Sequence, residues 1–172
     1  MADGALMPPK EFVPGRDSTR PFRDALGCFA TGVTLVTIAG KDGPMGFAAN
    51  SFAAVSLDPP LVLWSPAKSS RRFAQYVGAR HYAIHVLPRD GQDLLARFAR
   101  DGAGFDGLAH RHNAENVPVL DHALARFDCV QYATHDGGDH VIIVGKVLRA
   151  AHRGGAPLVF SQGGYGTFGP LD

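Results

Sequence analysis

The feature that most constrains this chain is a pair of long strand-like segments meeting at one short polar turn. Ala125–His135 and His140–Ala151 flank Asp136-Gly137-Gly138-Asp139. Segments joined so tightly pair antiparallel, because a parallel return needs a crossover of about a dozen residues or more. The second segment opens with Val141-Ile142-Ile143-Val144, apolar without alternation, so this strand is expected to be covered on both faces.

The same pattern recurs on a smaller scale. Val33–Ile38 is β-branched or apolar and suits a strand. Gly40-Lys41-Asp42-Gly43-Pro44 is a turn cluster, and Met45–Phe52 is expected to return as the hairpin partner. Val55-Ser56-Leu57 runs on to a break at Asp58-Pro59-Pro60. Leu61–Trp64, His81–Leu87 and Leu158–Phe160 supply further short strands, and Gly163, Gly164 and Gly166 mark an irregular end.

Helices are few. One starts after Ser18 and Thr19, carries Phe22, Ala25, Leu26, Phe29 and Ala30 on one face, and stops at Gly32. Ser69 is the expected N-cap of a second over Arg71–Val77. Asp90–Arg100 reads as a third, with Leu94, Leu95 and Phe98 inward. Residues 108–123 carry no clear pattern. The fold class is therefore mainly β with a few helices, and hairpin-linked strands of this kind close as an antiparallel barrel.

A length of 172 residues favours one domain. Residues 1–19, with Pro8, Pro9, Pro14, Gly4 and Gly15, read as a flexible arm before a domain over residues 20–172. A net charge of +1 gives no reason to expect nucleic acid or an anionic membrane as partner. No apolar run approaches the ~20 residues of a membrane helix, and Met1–Phe12 lacks the pattern of a signal peptide. Cys28 and Cys129 form no C-x-x-C pair. A cytoplasmic protein with reduced thiols is expected.

Two segments stand out chemically. Gly46–Pro60 puts small and polar residues, Ala48, Ala49, Asn50 and Ser51 among them, where a core strand would carry large apolar ones. Small side chains let a flat ligand approach backbone N–H and C=O groups. An ordinary strand entering a bulge at a barrel rim gives the same composition. Ser65-Pro66-Ala67-Lys68-Ser69-Ser70-Arg71-Arg72 joins a strand end to a helix start, which suits a phosphate and equally suits a capped surface helix. His81 with His85, and His110 with His112, lack an acidic or thiol companion at metal-site spacing. Tyr165 either stacks on a ring or packs the C-terminus. No G-x-G-x-x-G, G-x-S-x-G or H-E-x-x-H is present.

Phe22-Arg23-Asp24-Ala25-Leu26-Gly27, Phe29-Ala30-Thr31-Gly32-Val33-Thr34, Asn50-Ser51-Phe52, Val55-Ser56-Leu57-Asp58-Pro59-Pro60-Leu61-Val62-Leu63 and Gly138-Asp139-His140 occur in that order. Together they resemble the flavin reductase-like domain family, the reductase components of two-component flavin monooxygenases, from about Pro21 to Phe168. The resemblance implies an FMN-binding split β-barrel that forms a homodimer, with FMN or FAD as flavin and NADH or NADPH as hydride donor. It implies that Ala48, Ala49, Asn50, Ser51 and Phe52 lie along the isoalloxazine ring. Ser65, Ser69, Ser70 and Arg72 would hold the phosphate end, and His140 would serve the nicotinamide, with Phe29–Gly32 nearby. His85 stands where asparagine is frequent in the family and is counted among the cofactor-binding positions. Ala48 and Ala53-Ala54 replace residues that are often hydroxylated there. Hydride transfer needs placement more than acid–base groups, so no nucleophile or general base is nominated. Reduced flavin would pass to a partner monooxygenase. The alternative is a flavin-binding electron carrier or sensor without NAD(P)H turnover.

Overall fold

A computed structural model describes residues 8–170; residues 1–7 of the expected arm lie outside the described part. Residues 8–14 carry no helix or strand, and a 3-10 turn over Arg16–Ser18 leads into the first helix. In chain order the elements are α1 Thr19–Gly27, β1 Thr31–Gly32, β2 Thr34–Gly40, β3 Gly43–Ala49, β4 Ala53–Leu57, β5 Pro60–Trp64, α2 Phe73–Gly78, β6 His81–Val86, α3 Gln92–Phe98, β7 Arg111–His112, β8 Pro118–Val119, β9 Ala125–Gly137, β10 His140–His152, β11 Leu158–Ser161 and β12 Gly164–Thr167.

Seven strands form one antiparallel sheet in the order β3-β2-β6-β9-β10-β5-β4. Its two outermost strands, β3 and β4, are consecutive in sequence, separated only by residues 50–52. In a flat sheet six interstrand steps would hold them about 29 Å apart. Four Cα–Cα steps from Ala49 to Ala53 reach at most about 15 Å. The sheet must therefore coil until its edges approach, and it does so without pairing β3 to β4. The result is a split barrel, with the connection 50–52 crossing the split.

The interior is centred on Trp64, fully buried, with the rings of Phe47, Tyr76 and Tyr82 at 5.9, 5.6 and 6.0 Å. Burial pushes the Tyr76 and Tyr82 phenols well up from their ordinary value and the Cys129 thiol up to about 12. Gly145 on β10 is glycine because a Cβ there would lie 2.0 Å from the Tyr82 hydroxyl. A second cluster of Leu35, Leu87, Leu95, Phe98, Phe105 and Leu158 seats α3 beneath the barrel.

Several expectations are corrected. The first helix ends at Gly27, and Gly32 lies in β1, paired with Val159 of β11. No residue of α1 is buried, and Phe22, Leu26 and Phe29 are exposed at 42%, 58% and 79%. Helical spacing thus marked an apolar face that the described residues do not cover. Met45–Phe52 is strand only to Ala49, because the crossing of the split begins there. Ser69 does not cap α2, whose N-cap position is Arg72; Ser70 turns the chain instead, its C=O accepting from Phe73 N–H at 3.0 Å. The C-terminal glycines are ordered: Gln162 and Gly163 have φ of 49° and 81° and turn β11 into β12. Residues 108–123 contain the small β7–β8 pair.

Candidate active site

The outer edge of β3 supplies the first wall. Gly46 points its N–H and C=O away from β2, the N–H donating to Gly102 O at 2.8 Å and the C=O accepting from Arg72 at 2.9 Å. In an antiparallel strand this orientation repeats every second residue. Ala48 therefore presents both backbone groups to the same side, where no strand lies beside it. Ala48, Ala49 and Asn50 form a concavity of about 230 Å³ with Val33, Phe160 and Tyr165. The Phe160 and Tyr165 rings pack together at 5.3 Å. An unpaired strand edge, small side chains and an aromatic wall fit a flat heterocycle with a donor–acceptor edge.

The crossing segment links this wall to the second. The Ser51 hydroxyl accepts from Ser65 N–H at 2.9 Å and lies 3.4 Å from Ser65 O. Phe52 is half-buried and stacks on Phe127 at 5.6 Å. Beyond Ser65, Pro66–Lys68 pairs with the Gly138-Asp139-His140 turn. Val141 N–H donates to Pro66 O, Lys68 N–H donates to Asp139 O at 2.9 Å, and Ala67 and His140 form an antiparallel bridge. Lys68 also forms an ion pair with Asp136, whose carboxyl it holds below the usual carboxylate range. The His140 ring contacts Asp139 Oδ1 through Nδ1 at 2.7 Å and lowers that carboxyl in the same way. Ser51, Ser65, Lys68 and His140 thus belong to one connected rim, although His140 is 75 residues beyond Ser65 in sequence. Ser69 is exposed on the same loop, and Ser70 is half-buried.

Two nominated residues have other occupations. Arg72 spends Nη1 on the carbonyls of Gly46 and Phe98, at 2.9 and 3.0 Å, and its guanidinium lies 5.0 Å over the Phe47 ring. It ties β3 to the end of α3, on the same outer edge of β3 that Ala48 faces. His85 is fully buried. Its Nδ1 donates to Leu35 O and its Nε2 accepts from Leu120 N–H, both at 3.1 Å. The register sets it level with Ala48, with Leu35 between them, but the ring is enclosed and both nitrogens are used. Its assignment to the cofactor is therefore corrected to a core role. Burial lowers its pKa to about 4, which keeps it neutral.

Sequence reasoning missed a larger cleft of about 790 Å³ beside the first, sharing Phe160 and lined by Arg20, Arg23 and Asp24 of α1 with Gln162 and Gly163. The signal was present in the apolar face of α1 and the glycine-rich tail, but only the β1–β11 pairing brings them together. The Thr31 hydroxyl, on this helix-to-strand segment, is buried without a hydrogen-bond partner among the described residues. Cys28 and Cys129 are both free thiols. Among the described residues, no group of three or more His, Cys, Asp or Glu gathers as a metal site, and no helix is long and apolar enough to cross a membrane.

The family profile described as flavin reductase like domain matches residues 26–169. The chain belongs to the flavin reductase-like family. It is 58% identical over 166 residues to the FMN reductase (NADH) SmoA of Agrobacterium fabrum, covering 95% of each chain. It is 41% identical over 148 residues to the reductase subunit HsaB of a flavin-dependent monooxygenase from Rhodococcus jostii, covering 85% of this chain and 76% of that one. Among solved structures it is similar to the NADH:FAD oxidoreductase SgcE6 of Streptomyces globisporus, with a TM-score of 0.86, 33% identity and coverage of 97% and 96%. A structure of that protein in complex with NAD and FAD fragments aligns with a TM-score of 0.84 and 32% identity, covering 94% of this chain and 98% of that one.

Proposed function

We propose that this protein is an NADH-dependent flavin reductase of the two-component monooxygenase type, with FMN as its first flavin. The observation that carries the reading is the bare outer edge of β3 at Ala48, set beside the rim that Ser51 and Ser65 join to His140. The names of its relatives support NADH as donor, FMN or FAD as acceptor, and a monooxygenase as recipient.

When bound, the flavin supplies the redox chemistry, accepting a hydride from the nicotinamide. The chain supplies placement. Ala48 and Asn50 meet the ring edge with backbone groups, and Ser51 holds the crossing segment at a fixed height against Ser65. Ser65, Ser69 and Ser70, with Lys68 and Arg71 on the same loop, serve the phosphate end, while Arg72 braces that loop against Gly46 and Phe98. His140 stands at the rim and orients the nicotinamide amide by a hydrogen bond. Phe160 and Tyr165 exclude water from the aromatic side. The exposed apolar face of α1 is the surface a second copy would cover, which fits a homodimer. Among the described residues, 8–18 act as the arm of that unit ahead of its domain. A cytoplasmic location accords with this use of NADH.

The test is equilibrium dialysis with FMN, FAD and riboflavin, followed by anaerobic bleaching of flavin absorbance on adding NADH or NADPH. One flavin per chain and rapid bleaching with NADH are expected. Saturable binding without bleaching would favour an electron carrier or sensor. No saturable binding would end the reading.

A further inference from the structure

A second polar pocket lies apart from the proposed flavin cleft and shares no residue with it. It holds about 140 Å³, roughly five water volumes. Arg111 of β7, Arg126 of β9, and His152 and Arg153 at the end of β10 converge on it, against one carboxylate, Asp121. In the sheet, β2 and β6 separate Arg126 from the edge strand that carries Ala48. The length of the β9–β10 hairpin separates it from His140, roughly 40 Å of strand.

The cationic groups are held in place by the fold. Arg111 is gripped by Asp121 through Nε at 2.9 and 3.1 Å and through Nη2 at 2.9 Å. Arg153 donates Nε to Ala123 O at 3.1 Å and Nη2 to His122 O at 2.9 Å. Among the described residues no carboxylate pairs with Arg153. The Arg126 side chain is only 15% exposed, and its Nε lies 3.0 Å from buried Asp128 without an aligned hydrogen bond. Asp128 is shared with Arg149, which also pairs with Glu115, so the carboxylate behind Arg126 is divided between two guanidiniums.

We propose that this pocket is a binding site for a phosphate-class oxyanion. Three guanidiniums arrive from separate parts of the chain, β7, β9 and the residue that follows β10. That arrangement suits a compact anion with oxygens in several directions better than a planar carboxylate, which one guanidinium fork already satisfies. An anion here would clamp the β7–β8 pair and the 121–124 turn to the open end of the β9–β10 hairpin.

The experiment is a nuclear magnetic resonance titration of flavin-saturated protein with inorganic phosphate, glycerol phosphate or acetate, at ionic strength held constant with potassium chloride. Saturable shifts of the amides of residues 121–124 and 151–154 are expected with inorganic phosphate. A tighter glycerol phosphate curve identifies a phosphate monoester as the occupant; an equal or weaker one identifies the free ion. Arg153→Gln should weaken phosphate at least about tenfold, with steady-state flavin reduction unchanged. His152→Ala, which removes no bonded guanidinium, should weaken it several-fold and guards against a folding defect in the first variant. Shifts that match the chloride control, an acetate curve as tight as phosphate, or full phosphate affinity in both variants would overturn the proposal.

Discussion

His85 and His140 belong to the same residue type and were both expected at the cofactor, yet the fold puts them to opposite uses. His85 sits in the interior with no exposed surface and both ring nitrogens bonded to backbone. His140 sits at the rim, with a side chain 42% exposed and one contact to an exposed aspartate. A buried imidazole with fixed partners contributes to stability because removing it strands a donor and an acceptor. A rim imidazole contributes little to stability and is free to meet a ligand. The interior and the rim should therefore separate experimentally, one set of changes acting on folding and the other on turnover.

The sharpest break at the interior is Trp64→Ala. The ring is fully buried against three aromatic neighbours, so urea unfolding should show a loss of about 3–5 kcal/mol. A loss below about 1 kcal/mol would mean that the barrel interior is far looser than described.

His85→Leu comes next, with about 2–3 kcal/mol lost at neutral pH because Leu35 C=O and Leu120 N–H lose their partner. It also carries a pH signature. The folded protein keeps His85 neutral down to about 4, whereas the unfolded chain protonates near 6.5. Its stabilising share is complete above about pH 6.5 and falls as pH drops toward 4, by about 3 kcal/mol over the window. Urea midpoints at pH 7, 5.5 and 4.5 should converge for variant and wild type as pH falls. A constant gap between them would refute the neutral, buried imidazole.

Ser51→Ala joins the two regions. It removes one hydrogen bond to Ser65 N–H, worth about 1 kcal/mol. The same change should weaken FMN several-fold, because the crossing segment loses its tie to the Ser65–Arg72 loop. A normal flavin affinity would detach the two walls of the site from each other.

The smallest effect on folding belongs to His140→Ala, within about 0.5 kcal/mol of wild type. Stopped-flow reduction should instead show a raised KM for NADH, or slower reduction, with flavin affinity within a few-fold. Unchanged reduction across NADH concentrations would return His140 to a turn role and erase the contrast with His85.

Much of the fold was legible because its strongest elements are local. The β9–β10 hairpin occupies 125–137 and 140–152, close to the 125–135 and 140–151 set by its turn and β-branched runs. β6 and α3 also fall near their expected bounds. What escaped was non-local or very short. A two-residue strand such as β1 or β7 has no period to detect. The separation of β3 and β4 to opposite sheet edges depends on how five other strands insert between them. Alternation along His81–Val86 says which residues share a face. It does not say that Leu120, from a loop with no pattern, will deliver an N–H to His85. The candidate site was legible in its two chain segments, whereas the roles of Arg72 and His85 were hidden by contacts with Gly46, Phe98, Leu35 and Leu120.

The split at residues 50–52 has a mechanical consequence. Every other junction around the barrel is a ladder of interstrand hydrogen bonds, so widening it breaks several at once. This junction is a length of peptide tied down by the Ser51–Ser65 hydrogen bond and the Phe52–Phe127 stack, so it opens without unzipping a ladder. It is the compliant line of the wall, and Ala48, Asn50 and Ser51 lie on or beside it. Amide hydrogen exchange should therefore be faster at 50–52 than in the strands on either side, and slow at the centre of β9. On the proposed reading, in which reduced flavin passes to a partner monooxygenase, a wall whose give is confined to one seam suits that transfer.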